Sequence, residues 1–242
     1  RCIMFIIELL KNFGNEFCRE GLLNVIAFII ALMSALVLHE LAHGIVAKWN
    51  GDDTAKLMGR LTLNPLSHFD VVGLLMMLLV GFGWAKPVPV NPNNFRNKTK
   101  GMVSVSLAGV LTNIILAFVF SLFWVVWARY ISMPALANNL YYLDHFMLML
   151  FNLIVSINIS FALFNILPLY PLDGYRFLSC FVSQENSFMT FLRRYSLYIL
   201  LFLLMWNYLP LIDVYSPLSL YMTYLGNGLI DAFLKLWGLI FV

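Results

Sequence analysis

The sequence predicts an all-α polytopic membrane protein of about five to six transmembrane helices, with a short re-entrant or β-hairpin element on the cytoplasmic side. Of its 242 residues, 62% are hydrophobic and only 11% are charged, whereas a soluble chain contains about 25% charged residues. The apolar residues occur in long runs, while a β-barrel would show short alternating segments. The small net charge of +3, without a basic aromatic-rich patch, indicates that nucleic acid is not a partner.

Five apolar segments are long enough to cross the bilayer as helices, which requires about 20 residues. They cover residues 22–49, 101–127, 146–169, 195–211 and 218–242. A further run at 69–82 holds only about fourteen residues, a length that is typical of a re-entrant or interfacial element. The first 20 residues combine an apolar stretch with charged side chains, and we expect them to lie along the membrane interface.

The positions of lysine and arginine orient these spans. Seven basic residues lie between the first and second full spans: Lys48, Lys56, Arg60, Lys86, Arg96, Lys98 and Lys100. This region and the one from Arg176 to Arg194 are predicted to be cytoplasmic, because basic loops stay on that side. The loop at 130–145 has no lysine or arginine beyond the flanking Arg129, so we expect it outside. The alternation requires 69–82 to enter and leave by the same face.

The first span contains an HELAH pentapeptide at 39–43. On a helix His39 and His43 are one turn apart, so both imidazoles can reach one metal ion. Glu40 borders the same face, where a carboxylate can take a proton from a water molecule that the metal activates. An HExxH pattern is common by chance in soluble helices, but three polar residues in a membrane span are costly and therefore functional. The pattern predicts a zinc hydrolase site.

A tetrahedral catalytic zinc ion needs a third protein ligand and one open position. Asp173 is the strongest candidate, because two prolines and Gly174 break the helix around it. Irregular backbone at membrane depth is tolerated only where protein or a water-filled cavity surrounds it. The alternative is that Asp173 merely caps the helix that follows it. Weaker candidates are His68, Asp70, Asp144, His145, Asp213 and Asp231.

The segment at 58–94 is predicted to be extended. GRLTL alternates with period two, and the prolines at 87, 89 and 92 forbid helix and favour β or polyproline geometry before them. An exposed strand edge could bind a substrate by β-addition; the alternative is a structural hairpin that closes the cytoplasmic mouth. We expect His68 and Asp70 to fix this loop rather than to bind a second metal.

Several short motifs occur in a defined order along the chain. HELAH is followed by GRLTLNP at 59–65, GWAKPVPVNP at 83–92, an AG pair and Asn113 on the next span, and LDG at 172–174. Together these motifs resemble the site-2 protease family of intramembrane zinc metalloproteases, closest to its short prokaryotic members without PDZ or CBS domains. The resemblance covers residues 22–177. Two departures occur: Val110 replaces the proline of the family's usual AGP, and Tyr170 replaces a proline before LDG.

The resemblance implies a role for each polar residue. His39, His43 and Asp173 would bind one Zn²⁺ ion per chain, and Glu40 would act as the general base. Asn113 would lie near the reaction centre, where its amide could donate a hydrogen bond to the oxyanion or to substrate backbone. The alternative for Asn113 is an interhelical bond with no catalytic role.

The implied activity is endoproteolysis in or near a transmembrane segment of a membrane protein. The chain would then comprise an interfacial segment (1–20), a membrane-embedded catalytic core (21–180) that includes the loop at 56–100, and C-terminal transmembrane helices (181–242). The expected partners are the lipid bilayer and, as substrate, a single-span protein or a signal-peptide remnant. We expect the protein in the plasma (inner) membrane of a prokaryote, with its active site toward the cytoplasm.

Two other functions fit the same residues less well. A membrane zinc transporter or sensor could use the His/His/Asp cluster, but it would not need the unligated Glu40 beside a ligand. It would also show polar residues through several spans, whereas this chain has one cluster. A membrane zinc protease of the type that trims prenylated proteins takes its third ligand from a glutamate on a later helix, and the later spans contain no glutamate.

Overall fold

The structure is a computed structural model that describes residues 16–70, 72–73, 85–132, 140–183, 185–206 and 215–241. Within these residues it is mostly helical and has no β-sheet, so the all-α prediction is confirmed. Four described helices are long and apolar enough to cross a membrane, and the chain is an integral membrane protein. The predicted count of five to six spans is not confirmed.

Seven α-helices occur in the described part of the chain. They are α1 (Glu16–Trp49), α2 (Thr54–Leu57), α3 (Lys98–Val126), α4 (Tyr141–Asn165), α5 (Asp173–Leu178), α6 (Ser187–Met205) and α7 (Pro217–Ile240). The four long apolar helices are α1, α3, α4 and α6. Helix α7 is 24 residues long but is not one of the four, and it contains Asn227, Asp231 and Lys235.

Helices α1, α3 and α4 pack against one another and form the centre of the protein. Small residues make this close approach possible: Ala31 and Ala35 of α1 are fully buried, as is Ala117 of α3. Helix α7 covers the same bundle, where its apolar residues pack against a buried cluster of α3 and α4 that includes Val155 and Ile159. Helix α6 contacts α5 through Met189 and Leu192, which pack against Tyr175.

Polar side chains define where several helices begin. Asn97 accepts a hydrogen bond from the Lys100 amide at the start of α3, and Asn186 accepts one from Phe188 at the start of α6. Ser216 caps α7 in the same way, and Pro217 follows it at the first helical position, where proline is well tolerated.

The predicted outer loop at 130–145 is wrong in its extent. Helix α3 continues as a π-helical turn, Trp127–Ile131, and α4 begins at Tyr141. Asp144 therefore lies in the first turn of α4, where it is buried and accepts hydrogen bonds from the Trp127 indole and the Ser132 hydroxyl. These two donors satisfy the carboxylate, so it does not need an exposed loop.

Other boundaries also differ from the sequence prediction. Helix α1 begins at Glu16 rather than residue 22, α4 ends at Asn165 before Pro168, and α6 begins at Ser187, eight residues before the predicted 195. Residues 1–15 lie outside the described part of the chain, so the interfacial segment at 1–20 stays a prediction.

The predicted re-entrant run at 69–82 also lies largely outside the described residues. At its ends, Phe69 and Ala85 form an isolated antiparallel bridge, and the Lys86 amide donates to the His68 carbonyl over 2.9 Å. The β-hairpin itself is not confirmed.

Candidate metal centre

Three ligand atoms from two separate stretches of the chain meet at one point. His39 and His43 lie one turn apart in the middle of the bundle, with relative exposures of 4% and 5%, and their Nε2 atoms are 3.0 Å apart. Asp173, the first residue of α5, places Oδ2 3.1 Å from His39 Nε2 and 3.0 Å from His43 Nε2. Within the described residues these three form the one His, Cys, Asp or Glu group that could hold a metal ion.

The second nitrogen of each histidine is engaged elsewhere. His39 Nδ1 lies 2.7 Å from Asn113 Oδ1, and His43 Nδ1 lies 2.7 Å from the Val105 carbonyl oxygen. Both partners can only accept, so each Nδ1 carries the proton and donates it. In the neutral imidazoles the Nε2 atoms therefore present lone pairs to the centre, which is the form that binds a metal.

These residues fit a zinc ion. Two Nε2 lone pairs and a carboxylate oxygen converge, and Asp173 Oδ2 is a buried atom without a hydrogen-bond partner in the described structure. Three acceptors at this separation repel one another unless a cation joins them. A tetrahedral zinc ion with ligand bonds of about 2.0–2.1 Å holds neighbouring ligand atoms about 3.3 Å apart. The observed separations of 3.0–3.1 Å are close to this spacing.

The end of α4 brings Asp173 to the histidines. Pro168 and Pro171 prevent the helix from continuing, and the chain turns before α5 begins. A side chain on Gly174 would overlap the main-chain carbonyls of Ile166 and Leu167, so only glycine allows this close return. The helix cap is Leu172, which argues against the alternative in which Asp173 serves as a cap.

A glycine on α3 leaves room for the His39 ring. A methyl group on Gly109 would overlap three atoms of the His39 imidazole. Gly109 is thus the small residue of the AG pair that permits α3 to lie directly against the ring.

Asn113 lies behind His39 and connects three helices. Its Oδ1 accepts from His39 Nδ1, and its Nδ2 donates to Asn158 Oδ1 over 2.9 Å and to the Ala35 carbonyl over 3.3 Å. Asn158 in turn donates to the Ile154 carbonyl, and both asparagines are fully buried. All polar atoms of the Asn113 side chain are therefore engaged within the bundle.

Glu40 lies beside the cluster without joining it. Its Oε2 accepts a hydrogen bond from the Val88 main-chain amide over 2.8 Å. This contact places the extended residues after Ala85 directly over the HELAH helix.

Four of the weaker ligand candidates have other partners. His68 is fully buried and donates to the Thr62 carbonyl, Asp70 accepts from the Gly73 amide, and His145 donates to Asn24. Asp144 binds the two donors given above, and Asp213 lies outside the described residues.

Several groups around the site were missed from the sequence. The Val88 amide and the Val105 carbonyl belong to the main chain, so no side-chain pattern marks them. Asn158 had a usable signal, because a polar residue inside a membrane span is seldom idle. Asp52 is fully buried just after α1, yet in the sequence it resembles an ordinary loop residue.

Comparisons with known proteins agree with this geometry. Residues 27–206 match the family model described as peptidase family M50. The chain is 39% identical over 215 residues to a Bacillus subtilis (strain 168) protein named "Putative zinc metalloprotease YwhC", and the alignment covers 88% of this chain and 91% of that relative. No solved structure is significantly similar to the chain. A family match over most of the chain, together with two imidazoles, a carboxylate and an adjacent glutamate at its centre, shows that this metalloprotease belongs to peptidase family M50, the site-2 protease family.

Proposed function

We propose that the protein is a zinc-dependent intramembrane endopeptidase that cleaves a peptide bond in or near a transmembrane segment of a membrane protein. The observation that carries the proposal is the convergence of His39, His43 and Asp173 inside a bundle of apolar helices. A site at this depth is suited to a substrate that is itself embedded in the bilayer. The proposal includes one zinc ion per chain.

The chain's own residues account for the steps of hydrolysis. His39, His43 and Asp173 would hold the zinc ion, which when bound supplies a Lewis acid that activates water and polarises the scissile carbonyl. Glu40 would accept the proton from the attacking water and pass it to the leaving amine. No side chain in this set forms a covalent bond to the substrate.

Asn113 is best explained as a positioning residue. Both of its Nδ2 hydrogens are directed at acceptors in the bundle, Asn158 Oδ1 and the Ala35 carbonyl, which leaves none for an oxyanion. Its Oδ1 fixes the ring orientation and tautomer of His39, as outer partners of metal-binding histidines generally do. The contacts thus support the interhelical alternative, with orientation of His39 as its purpose.

The substrate that fits best is a single-span membrane protein or a signal-peptide remnant. Peptide groups of a transmembrane helix are satisfied internally, so the helix must unwind before a carbonyl can be attacked. The extended residues at 85–91 lie over Glu40 and offer main-chain groups beside the site to which an unwound strand could add.

The basic residues support a cytoplasmic position for the site. Lys48 lies at the end of α1, Lys56 in α2, and Lys98 and Lys100 at the start of α3. Basic residues of this kind stay on the cytoplasmic side. The bacterial relative is consistent with the plasma membrane of a prokaryote as the location.

Reconstitution in detergent with a model transmembrane substrate tests the proposal. Purified wild-type protein is expected to contain zinc and to cleave, and a chelator should stop cleavage until zinc is restored. The Glu40→Gln variant should keep its zinc and lose cleavage, because it loses the group that accepts the proton. Cleavage that persists in Glu40→Gln would refute the assigned base, and zinc binding without any hydrolysis by the wild type would favour a transporter or sensor.

A further inference from the structure

The Glu40 carboxylate is held by a main-chain group from outside its own helix. The Val88 amide donates to Glu40 Oε2 over 2.8 Å. In the described part of the chain this is the one hydrogen bond to that carboxylate. Oε1, the other oxygen, is thus the atom left to accept a proton.

The residues on either side of Val88 are fastened by polar contacts. The Lys86 amide donates to the His68 carbonyl over 2.9 Å, and Arg60 Nη2 donates to the Lys86 carbonyl over 2.8 Å. On the other side, the Asn91 amide donates to Asp52 Oδ2 over 2.7 Å. The segment 85–91 is therefore pinned before and after the residue that contacts Glu40.

Packing also fixes the Val88 amide. The side chain is 6% exposed, and it lies so close to α1 that an added Cβ on Gly44 would come within 3.0 Å of it. Pro87 and Pro89 restrict the backbone on both sides. A buried amide that faces α1 is not a free strand edge, so an added substrate strand would have to use other groups of the segment.

We propose that the Val88 main-chain amide is a positioning group for Glu40. The segment 85–91 thus not only lies over the site but also orients its general base. The amide fixes Oε2 and thereby leaves Oε1 as the oxygen that accepts the proton of the attacking water. Arg60 and Asp52 contribute indirectly, because they hold the segment that carries the amide. The catalytic role in this inference rests on the proposed hydrolysis, whereas the contact between Val88 and Glu40 does not.

Hydrogen exchange tests the contact without any need for activity. Residues 86–90 have only three amide hydrogens, on Lys86, Val88 and Val90, because Pro87 and Pro89 have none. In Glu40→Ala the acceptor is lost, and one of these amides should exchange about tenfold faster or more. Glu40→Gln keeps an acceptor oxygen and should retain most of the protection. Equal exchange in Glu40→Ala and wild type would overturn the proposal.

Kinetics of two Val88 variants test the positioning role. Val88→Pro removes the amide hydrogen between two existing prolines, whereas Val88→Ala keeps it and loses only packing. We expect Val88→Pro to lower kcat by about 10–100-fold with little change in KM, while its bound zinc equals that of the wild type. Val88→Ala should lower kcat clearly less than Val88→Pro does, because it keeps the amide hydrogen.

Two outcomes of this comparison would contradict the proposal. An equal loss of kcat in both variants would indicate packing alone, and a change confined to KM would assign Val88 to substrate binding. If wild-type protein proved inactive on every substrate, the proposed function would fail, whereas the exchange experiment would still decide whether Val88 holds Glu40.

Discussion

At the scale of single residues, the metal centre depends on atoms that face away from it. Each imidazole turns a lone pair inward because its Nδ1 proton is already donated, from His39 to Asn113 and from His43 to Val105. The Oδ1 atom of Asn113 accepts the hydrogen bond from His39 because Nδ2 donates to Asn158 Oδ1 and so fixes which way the amide points. The ligands of α1 are thus oriented by α3 and α4. Substitution of a residue that does not contact the ion itself should therefore alter metal binding.

Asn113→Ala tests this dependence. Loss of the Oδ1 acceptor frees the His39 ring to rotate, and we expect zinc affinity to fall by about 10–100-fold, measured by competition with a chelator of known affinity. Asn152→Ala is the matched control, since Asn152 is also an asparagine of the bundle but, among the described residues, its oxygen accepts from Ser156 alone. If Asn113→Ala lost cleavage at unchanged zinc affinity, the oxyanion role would be the better explanation.

Gly109→Ala tests the close approach of α3 to His39. The added methyl group would overlap the imidazole, so we expect displaced ligands and less bound zinc. Overpacking should also lower the free energy of unfolding by about 1–3 kcal/mol, which a lower melting temperature would show. Gly228→Ala on α7 is the control, because no described atom lies within 4 Å of its added Cβ. Normal zinc content and stability in Gly109→Ala would show that the helices separate easily.

At the scale of elements, the turn after α1 fixes the position of the segment over the site. Asp52 is fully buried and accepts hydrogen bonds from Thr54, from the Asn91 amide and from Asn94. Burial opposes ionisation, but these donors outweigh it and hold the pKa of Asp52 below its ordinary value. The charged carboxylate is therefore the form that stabilises the fold.

The sign of this shift predicts a pH dependence. A lowered pKa means that Asp52 stabilises the folded protein above its ordinary pKa, near 3.8, and that this contribution is lost as the pH falls through the lower folded value. Asp52→Asn should cost about 1–3 kcal/mol at neutral pH, and the difference from wild type should shrink below pH 4 in thermal unfolding. If the stability difference between Asp52→Asn and wild type stayed constant as the pH fell through the pKa of folded Asp52, the assignment would be refuted.

Elements also show where sequence reasoning succeeds and fails. The HELAH helix and the break before Asp173 could be predicted, because helical spacing and prolines act locally. The start of α4 could not, since Asp144 finds buried donors on Trp127 and Ser132 that no local pattern reveals. The Val88 amide and the Val105 carbonyl were missed for a related reason: any residue supplies these groups, so only the fold shows which ones reach the site.

At the scale of the whole molecule, α7 lies beyond the region that matches the family and yet packs on its core. The match ends at residue 206, whereas Met222 and Phe233 of α7 contact the buried cluster of α3 and α4. The Trp237 indole also donates to Ser121 over 2.9 Å. Helix α7 is thus a structural part of the bundle even though it is not one of the four helices that are long and apolar enough to cross a membrane.

Trp237→Phe tests the attachment of α7. The substitution keeps an aromatic ring next to Phe118 and removes the donor to Ser121, so we expect a loss of about 0.5–1.5 kcal/mol in thermal unfolding in detergent, with zinc content unchanged. Ser121→Ala should cause a similar loss, and the double variant should lose less than the sum of the two. Strict additivity would mean that the indole and the hydroxyl do not interact.

The two histidines are equally buried but are not equally robust to mutation. His43 is oriented by the carbonyl of Val105, a group that every amino acid at position 105 would supply as long as the helix persists. His39 is oriented by the side chain of Asn113, which most exchanges at that position would delete. Substitutions at position 105 therefore affect packing but keep the group that orients His43. Most substitutions at position 113 remove the group that orients His39, and so they disturb a metal ligand.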